Sequence, residues 1–205
     1  MQSSLLVVGV LFSLMLSCCG SSSRLVEGHV AEDRLDKPIT DILILVIIED
    51  QEIRKVFEKH FKDWFTVKGV EAISSVDVLP INERTKLDKE AILQVVDKHE
   101  NDAILITNLV EFGETEVFSR DRPRFDYNYY GFYNYAWGYV YWPTVYGEKV
   151  QITLETRIYD VKTESLICSG ESRLKNPKTT GTAIGDVVTM VIRDLDTHGL
   201  LPQKE

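Results

Sequence analysis

Chemistry in a protein begins with nucleophiles, bases and ligands, and this chain has few that stand together. Its four histidines, His29, His60, His99 and His198, are scattered and join no ligand-spaced cluster. His60 falls on an apolar helical stripe, while His99 and His198 fall near predicted helix carboxyl ends, where a cation suits the helix dipole. The carboxylate pairs Glu114 with Glu116 and Asp194 with Asp196 could do acid–base work, but both read as solvated surface. Ser169 and Ser172 flank Gly170 with no identifiable base. Cys168 alternates with apolar neighbours and lacks a nearby basic residue, so it reads as a small buried hydrophobe, not an activated thiolate. HExxH, a Gly-rich phosphate loop and GxSxG are all missing from the sequence. The pattern argues against an enzyme, and it implies no cofactor and no metal.

Two other groups of residues carry more information. The first is the pair Cys18-Cys19, which ends an uncharged apolar run, Leu5 to Leu16 (LLVVGVLFSLML). That run is too short for a bilayer, which takes about 20 residues, and it matches the apolar region of a signal peptide. Leu16-Ser17-Cys18-Cys19-Gly20 resembles a bacterial lipobox, which implies lipid on the thiol and amine of a new amino-terminal cysteine. Cys19 fits with Leu16 three places before it; Cys18, with Met15 in that place, is the alternative. Met1 to Ser4 departs from the usual pattern in having no Lys or Arg. Asp, the retention signal for the inner membrane, follows neither cysteine. The resemblance therefore implies a protein anchored in the outer membrane and facing the periplasm.

The second group is FDYNYYGFYNYAWGYVYWPTVYG, Phe125 to Gly147, in which 12 of 23 residues are aromatic. No residue from Tyr127 to Gly147 is charged. From Tyr133 to Tyr141 the odd positions are all aromatic and the even ones Asn, Ala, Gly and Val, so an extended conformation would show one aromatic face. Gly131 and Gly138 favour an irregular or bulged hairpin arm over a regular strand. Tyr and Trp give large contact area with few rotamers. Tyr127, Tyr129, Tyr130, Tyr133, Tyr135, Trp137, Tyr139, Tyr141 and Trp142 are therefore the candidate binding residues, rimmed by Arg120, Arg122 and Arg124. The other reading is a loop closing over one sheet face.

The elements that must position this segment follow from hydrophobic periodicity. Ile39 to Ile48 reads as a strand buried on both faces. A helix opens at Glu49-Asp50, with Ile53, Val56, Phe57, Phe61, Trp64 and Phe65 as its stripe. Val70 to Leu79 reads as a strand, a helix capped by Asp88 points Ile92, Val95 and Val96 inward, and Ala103 to Phe112 is a third strand. Val150 to Val161 alternates like a half-exposed antiparallel strand, with Gln151, Thr153, Glu155, Arg157 and Tyr159 facing outward. Leu166 to Leu174 returns as its hairpin partner, and a helix from Thr182 to His198 ends at Gly199. The expected fold is α+β, a mixed sheet of about five strands with helices packed on it. Residues 1–18 are a signal peptide, 19–37 a polar flexible tether, and 38–202 one globular domain with an aromatic insertion at 119–149.

With a lipobox, this order of elements, the turn Tyr159-Asp160-Val161-Lys162-Thr163 and the segment Ser169-Gly170-Glu171-Ser172, the chain resembles the periplasmic lipoprotein superfamily typified by the TolB amino-terminal domain, LpoB and CsgG. That resemblance implies a non-enzymatic scaffold or interaction module. The implied partners are an envelope protein or, alternatively, peptidoglycan or another polysaccharide; a third reading is a homo-oligomeric subunit of an envelope or secretion assembly. The net charge of −9 excludes nucleic acid as an expected partner, because neutralising phosphates takes clustered Lys and Arg.

Overall fold

The computed structural model describes residues 22–31, 37–79, 89–113, 128–137 and 150–203. The leader with Cys18 and Cys19, the Asp88 cap, Glu114, Glu116, the arginine rim, and Tyr127, Tyr139, Tyr141 and Trp142 lie outside the described residues. Among the described residues no helix is long and apolar enough to cross a membrane.

The apolar run near the start of the domain forms β2 (Asp41–Ile47), the centre of the parallel part of the sheet. It pairs in parallel with both β3 (Glu71–Ser74) and β4 (Ala103–Gly113), so both its edges are hydrogen-bonded, and its alternate residues enter cores on opposite faces of the sheet, as its unbroken hydrophobicity predicts. β4 continues into an antiparallel meander through β5 (Gln151–Asp160) and β6 (Leu166–Lys175). A further strand, β1 (Ser22–Val30), closes the far edge against β6 and gives the order β1-β6-β5-β4-β2-β3. The α+β class and mixed sheet stand as expected, but with six strands, and 22–30 of the expected tether is ordered as a strand. SSRLVEGHV escapes a hydropathy reading because an edge strand needs no apolar outer face; its register comes from backbone pairing.

Helices cover both faces. α1 (Gln51–Val67) and α5 (Thr180–Thr197) pack with Ile42, Ile44, Val46, Leu105, Leu154 and Ile158 on one side. α3 (Lys89–His99) and α4 (Tyr129–Trp137) pack with Leu43, Leu45, Ile104 and Ile106 on the other. Asp50 caps α1 by accepting hydrogen bonds from the backbone N–H of Glu52 and Ile53 at 2.9 and 3.0 Å. Gly199, with φ of 68°, ends α5 in the left-handed conformation expected there.

Inside α1 the stripe is Phe57, Phe61 and Phe65, fully buried, whereas Val56 and Trp64 are 42% and 41% exposed. Their expected inward places go to a charged pair. Arg54 Nε donates to Glu58 Oε1 at 3.0 Å, and both side chains are buried. Glu58 also accepts from the Val46 N–H, the Ser74 and Ser75 hydroxyls and the Val76 N–H. This carboxylate explains why the expected strand from Val70 to Leu79 stops at Ser74. Ser75–Val78 turns into the single-turn helix α2, with its first groups gathered by Glu58.

Candidate functional site

The aromatic segment is helical where it is described, which corrects the expectation of an extended arm. Tyr129, Phe132, Tyr133 and Ala136 recur at helical spacing, and all four are fully buried against the sheet. A run this rich in aromatics carries both periods at once; burying the helical stripe on Leu43, Leu45, Ile104 and Ile106 selects the helix over the alternating strand. Tyr129 and Tyr133 are therefore core residues, and they present no surface. Tyr130, Tyr135 and Trp137 are only partly buried and form the flank that α4 keeps at the surface.

The start of α4 is clamped. The Gly131 N–H donates to Asn128 Oδ1 at 2.9 Å, while the Asn128 carbonyl receives the first helical bond from Phe132 at 3.0 Å. Asn128 Nδ2 in turn donates to Glu164 Oε2, in the turn between β5 and β6, at 2.8 Å. Lys89 Nζ joins the other oxygen of Glu164 at 2.7 Å and lies 5.8 Å from the centre of the Tyr129 ring. One glutamate thus ties α3, α4 and the β5–β6 turn together.

Below the helix, strand β5 departs most from its expected character. Thr153, Glu155, Arg157 and Tyr159 are all buried, so the strand is covered on both faces. Arg157 Nε donates to Glu155 Oε1 at 2.8 Å, and the guanidinium carbon sits 4.2 Å from the centre of the Phe132 ring. Burial pushes the Arg157 guanidinium down, but Glu155 and Tyr159 outweigh it and hold it above its ordinary value. Burial likewise pushes Tyr159 and Tyr129 up to about 12, so both phenols stay neutral across the physiological range. Phe132 also packs 6.3 Å from Tyr159 and 6.0 Å from Tyr135, centre to centre. Sequence patterning misses this seat because Glu155 and Arg157 look solvated until each is seen to neutralise the other, two residues apart on one strand face.

The remaining candidates do not assemble. Asp196 bonds Lys68 at 2.6 Å, whereas Asp194 lies 3.5 Å from His198, so the two carboxylates serve separate partners. The hydrogen bond from Lys68 holds Asp196 below the usual carboxylate range, and burial raises Asp194. His198 Nδ1 sits 2.8 Å from the Asp194 carbonyl at the end of α5, and His99 closes α3. No group of three metal-ligating side chains exists among the described residues. Ser172 is fully buried and Ser169 nearly so. Cys168 is 4% exposed, and burial pushes its thiol well above its ordinary value. DTNB should therefore label Cys168 roughly 100-fold or more slowly in the native protein than in urea, since the thiolate is the reacting species. Equal rates would show that this strand opens freely.

No family model and no curated protein matches the sequence. Among solved structures, the chain is similar to the PelC dodecamer from Paraburkholderia phytofirmans, at 8% identity, with 90% of this chain and 100% of that one covered and a TM-score of 0.45. A substituted form of that dodecamer gives 8% identity, the same coverages and a TM-score of 0.46. A PDZ domain protein from Parabacteroides distasonis gives 13% identity and a TM-score of 0.45, over 90% of this chain and 37% of that one.

Proposed function

We propose that this chain is a non-enzymatic lipoprotein, anchored through Cys19 in the outer membrane and facing the periplasm, that docks an envelope protein through the outer flank of α4. The observation that carries the reading is the division of labour within that helix. Tyr129, Phe132, Tyr133 and Ala136 fix it in the core, and Tyr130, Tyr135 and Trp137 remain partly exposed on a helix packed against the sheet. Half-buried Tyr and Trp on a rigid element lose little entropy on binding and are the residue types that dominate interface energetics. Tyr127, Tyr139, Tyr141 and Trp142 extend the same chemistry along the sequence.

The test is a photo-crosslinking residue in place of Trp137 in intact cells. A distinct envelope protein captured there, and lost when Tyr130→Ala is added, is the expected result. An adduct between two copies of this chain would make it a homo-oligomeric subunit instead. Crosslinks only within one chain would remove the docking role. Sedimentation with purified sacculi separates the glycan alternative: pelleting that is abolished by Tyr135→Ala with Trp137→Ala would assign the flank to peptidoglycan.

A further inference from the structure

Positively charged side chains collect at one corner of the sheet. In the β1–β6 ladder Arg24 stands opposite Arg173, and Ser22 opposite Lys175. Arg24, Arg173 and Lys175 therefore share one sheet face, and Lys178 follows in the link to α5. Arg24, Lys175 and Lys178 are exposed. Among the described residues none of these cations has an ion pair, and Arg173 Nε is buried without a hydrogen bond. The next row of the ladder is acidic, with Glu27 opposite Glu171 and Glu171 opposite Glu155; the Glu171 and Glu155 side chains are buried, and Glu155 is held by Arg157. Like charges directly opposed across strands destabilise a sheet. In a chain of net charge −9 such a corner is a local exception that an external anion would relieve.

The position of the corner says which anion. β1 begins at Ser22, three residues after Cys19, a span of at most about 10 Å. We propose that this corner rests on anionic phospholipid headgroups, so that acyl chain and basic corner together hold the domain with the amino-terminal end of β1 toward the bilayer. One attractive patch beside a lipid anchor is the two-signal arrangement that makes membrane attachment firm and oriented. The strands then run away from the bilayer, and the β5–β6 turn with Glu164 and the start of α4 lies about 30 Å beyond the corner, the length of a ten-residue strand. This inference rests on the lipid anchor of the proposed function.

The experiment uses the full lipidated chain in vesicles of phosphatidylcholine with phosphatidylglycerol and a nickel-chelating headgroup lipid. Spin labels are placed one at a time on Cys168→Ala protein, at the corner (Lys178→Cys) or at the opposite end (Lys162→Cys). Nickel should accelerate relaxation several-fold more at 178 than at 162. Arg24→Gln with Lys175→Gln, or vesicles of phosphatidylcholine alone, should bring the two positions toward equality while flotation with the vesicles persists. Equal relaxation at both positions in anionic vesicles overturns the oriented corner, as does a difference unchanged by the charge variant. Protein that neither floats nor carries acyl mass identifies the anchor itself as the failed premise.

Discussion

Glu58→Ala should cost about 3–5 kcal/mol of folding stability, the range for removing one member of a buried ion pair. Glu58 is fully buried and accepts from Arg54, from two serine hydroxyls and from two backbone N–H groups, those of Val46 and Val76. Alanine would strand the Arg54 guanidinium, 3% exposed, with Ser75 Oγ at 2.6 Å its one remaining acceptor among the described residues. It would also release the turn that ends β3. Domains of this kind are held by about 5–15 kcal/mol in total, so much of the margin would go. Urea unfolding followed by far-ultraviolet circular dichroism measures the loss. The double change Arg54→Met with Glu58→Leu should cost clearly less than Glu58→Ala, because it removes the stranded charge along with its partner. A single-variant loss under about 1 kcal/mol would mean that water reaches the pair and that its burial is not what shapes the β3–α2 turn.

Phe132→Ala should be comparably damaging, at about 3–5 kcal/mol for a fully buried ring. The ring fills the space between Tyr159, Tyr135 and the Arg157 guanidinium, so its loss leaves a cavity and uncovers a buried cation. Phe132→Leu should recover much of the packing but not the cation–ring contact. Limited proteolysis gives a local readout: α4 should become the first cleaved helix in Phe132→Ala, and stay protected in the parent. If alanine is tolerated and α4 remains protected, the clamp through Asn128 and Glu164 suffices and the aromatic stripe is not the anchor.

How much of this was legible in advance varies with the physics of each element. β2 announces itself because burial on both faces demands its unbroken Ile, Leu and Val, and β4 does so through the run Ala103 to Ile106. α5 does so because its apolar face is wide and its glycine stop is where a left-handed residue is needed. β5 is found at the right place but with the wrong surroundings: periodicity assigns Glu155 and Arg157 to water, and their mutual neutralisation under Phe132 is a tertiary fact. β3 is overextended because nothing in Ser74-Ser75 shows that a glutamate sixteen residues earlier will collect them. The aromatic helix is the instructive case. Tyr129, Phe132, Tyr133 and Ala136 hold the helical period in plain view, yet Tyr133, Tyr135 and Trp137 spell a strand equally well. Which aromatics are surface therefore depends on the facing sheet, and of the five described candidates read from composition alone, Tyr129 and Tyr133 turn out to be core.

Strand β1 has a consequence for how the chain is made. Its partner, β6, is among the last strands to be synthesised, so Ser22 must wait for Lys175 before the sheet can close. Closing so large a loop is slow, because its entropy is lost before the pairing returns anything. Until then β6 is an open edge, able to template pairing with another unfinished chain. Under the proposed function, acylation of Cys19 before folding would keep β1 at the membrane while the rest of the domain folds beside it. The far edge of the sheet would then be completed at the bilayer surface, out of reach of neighbours in free solution.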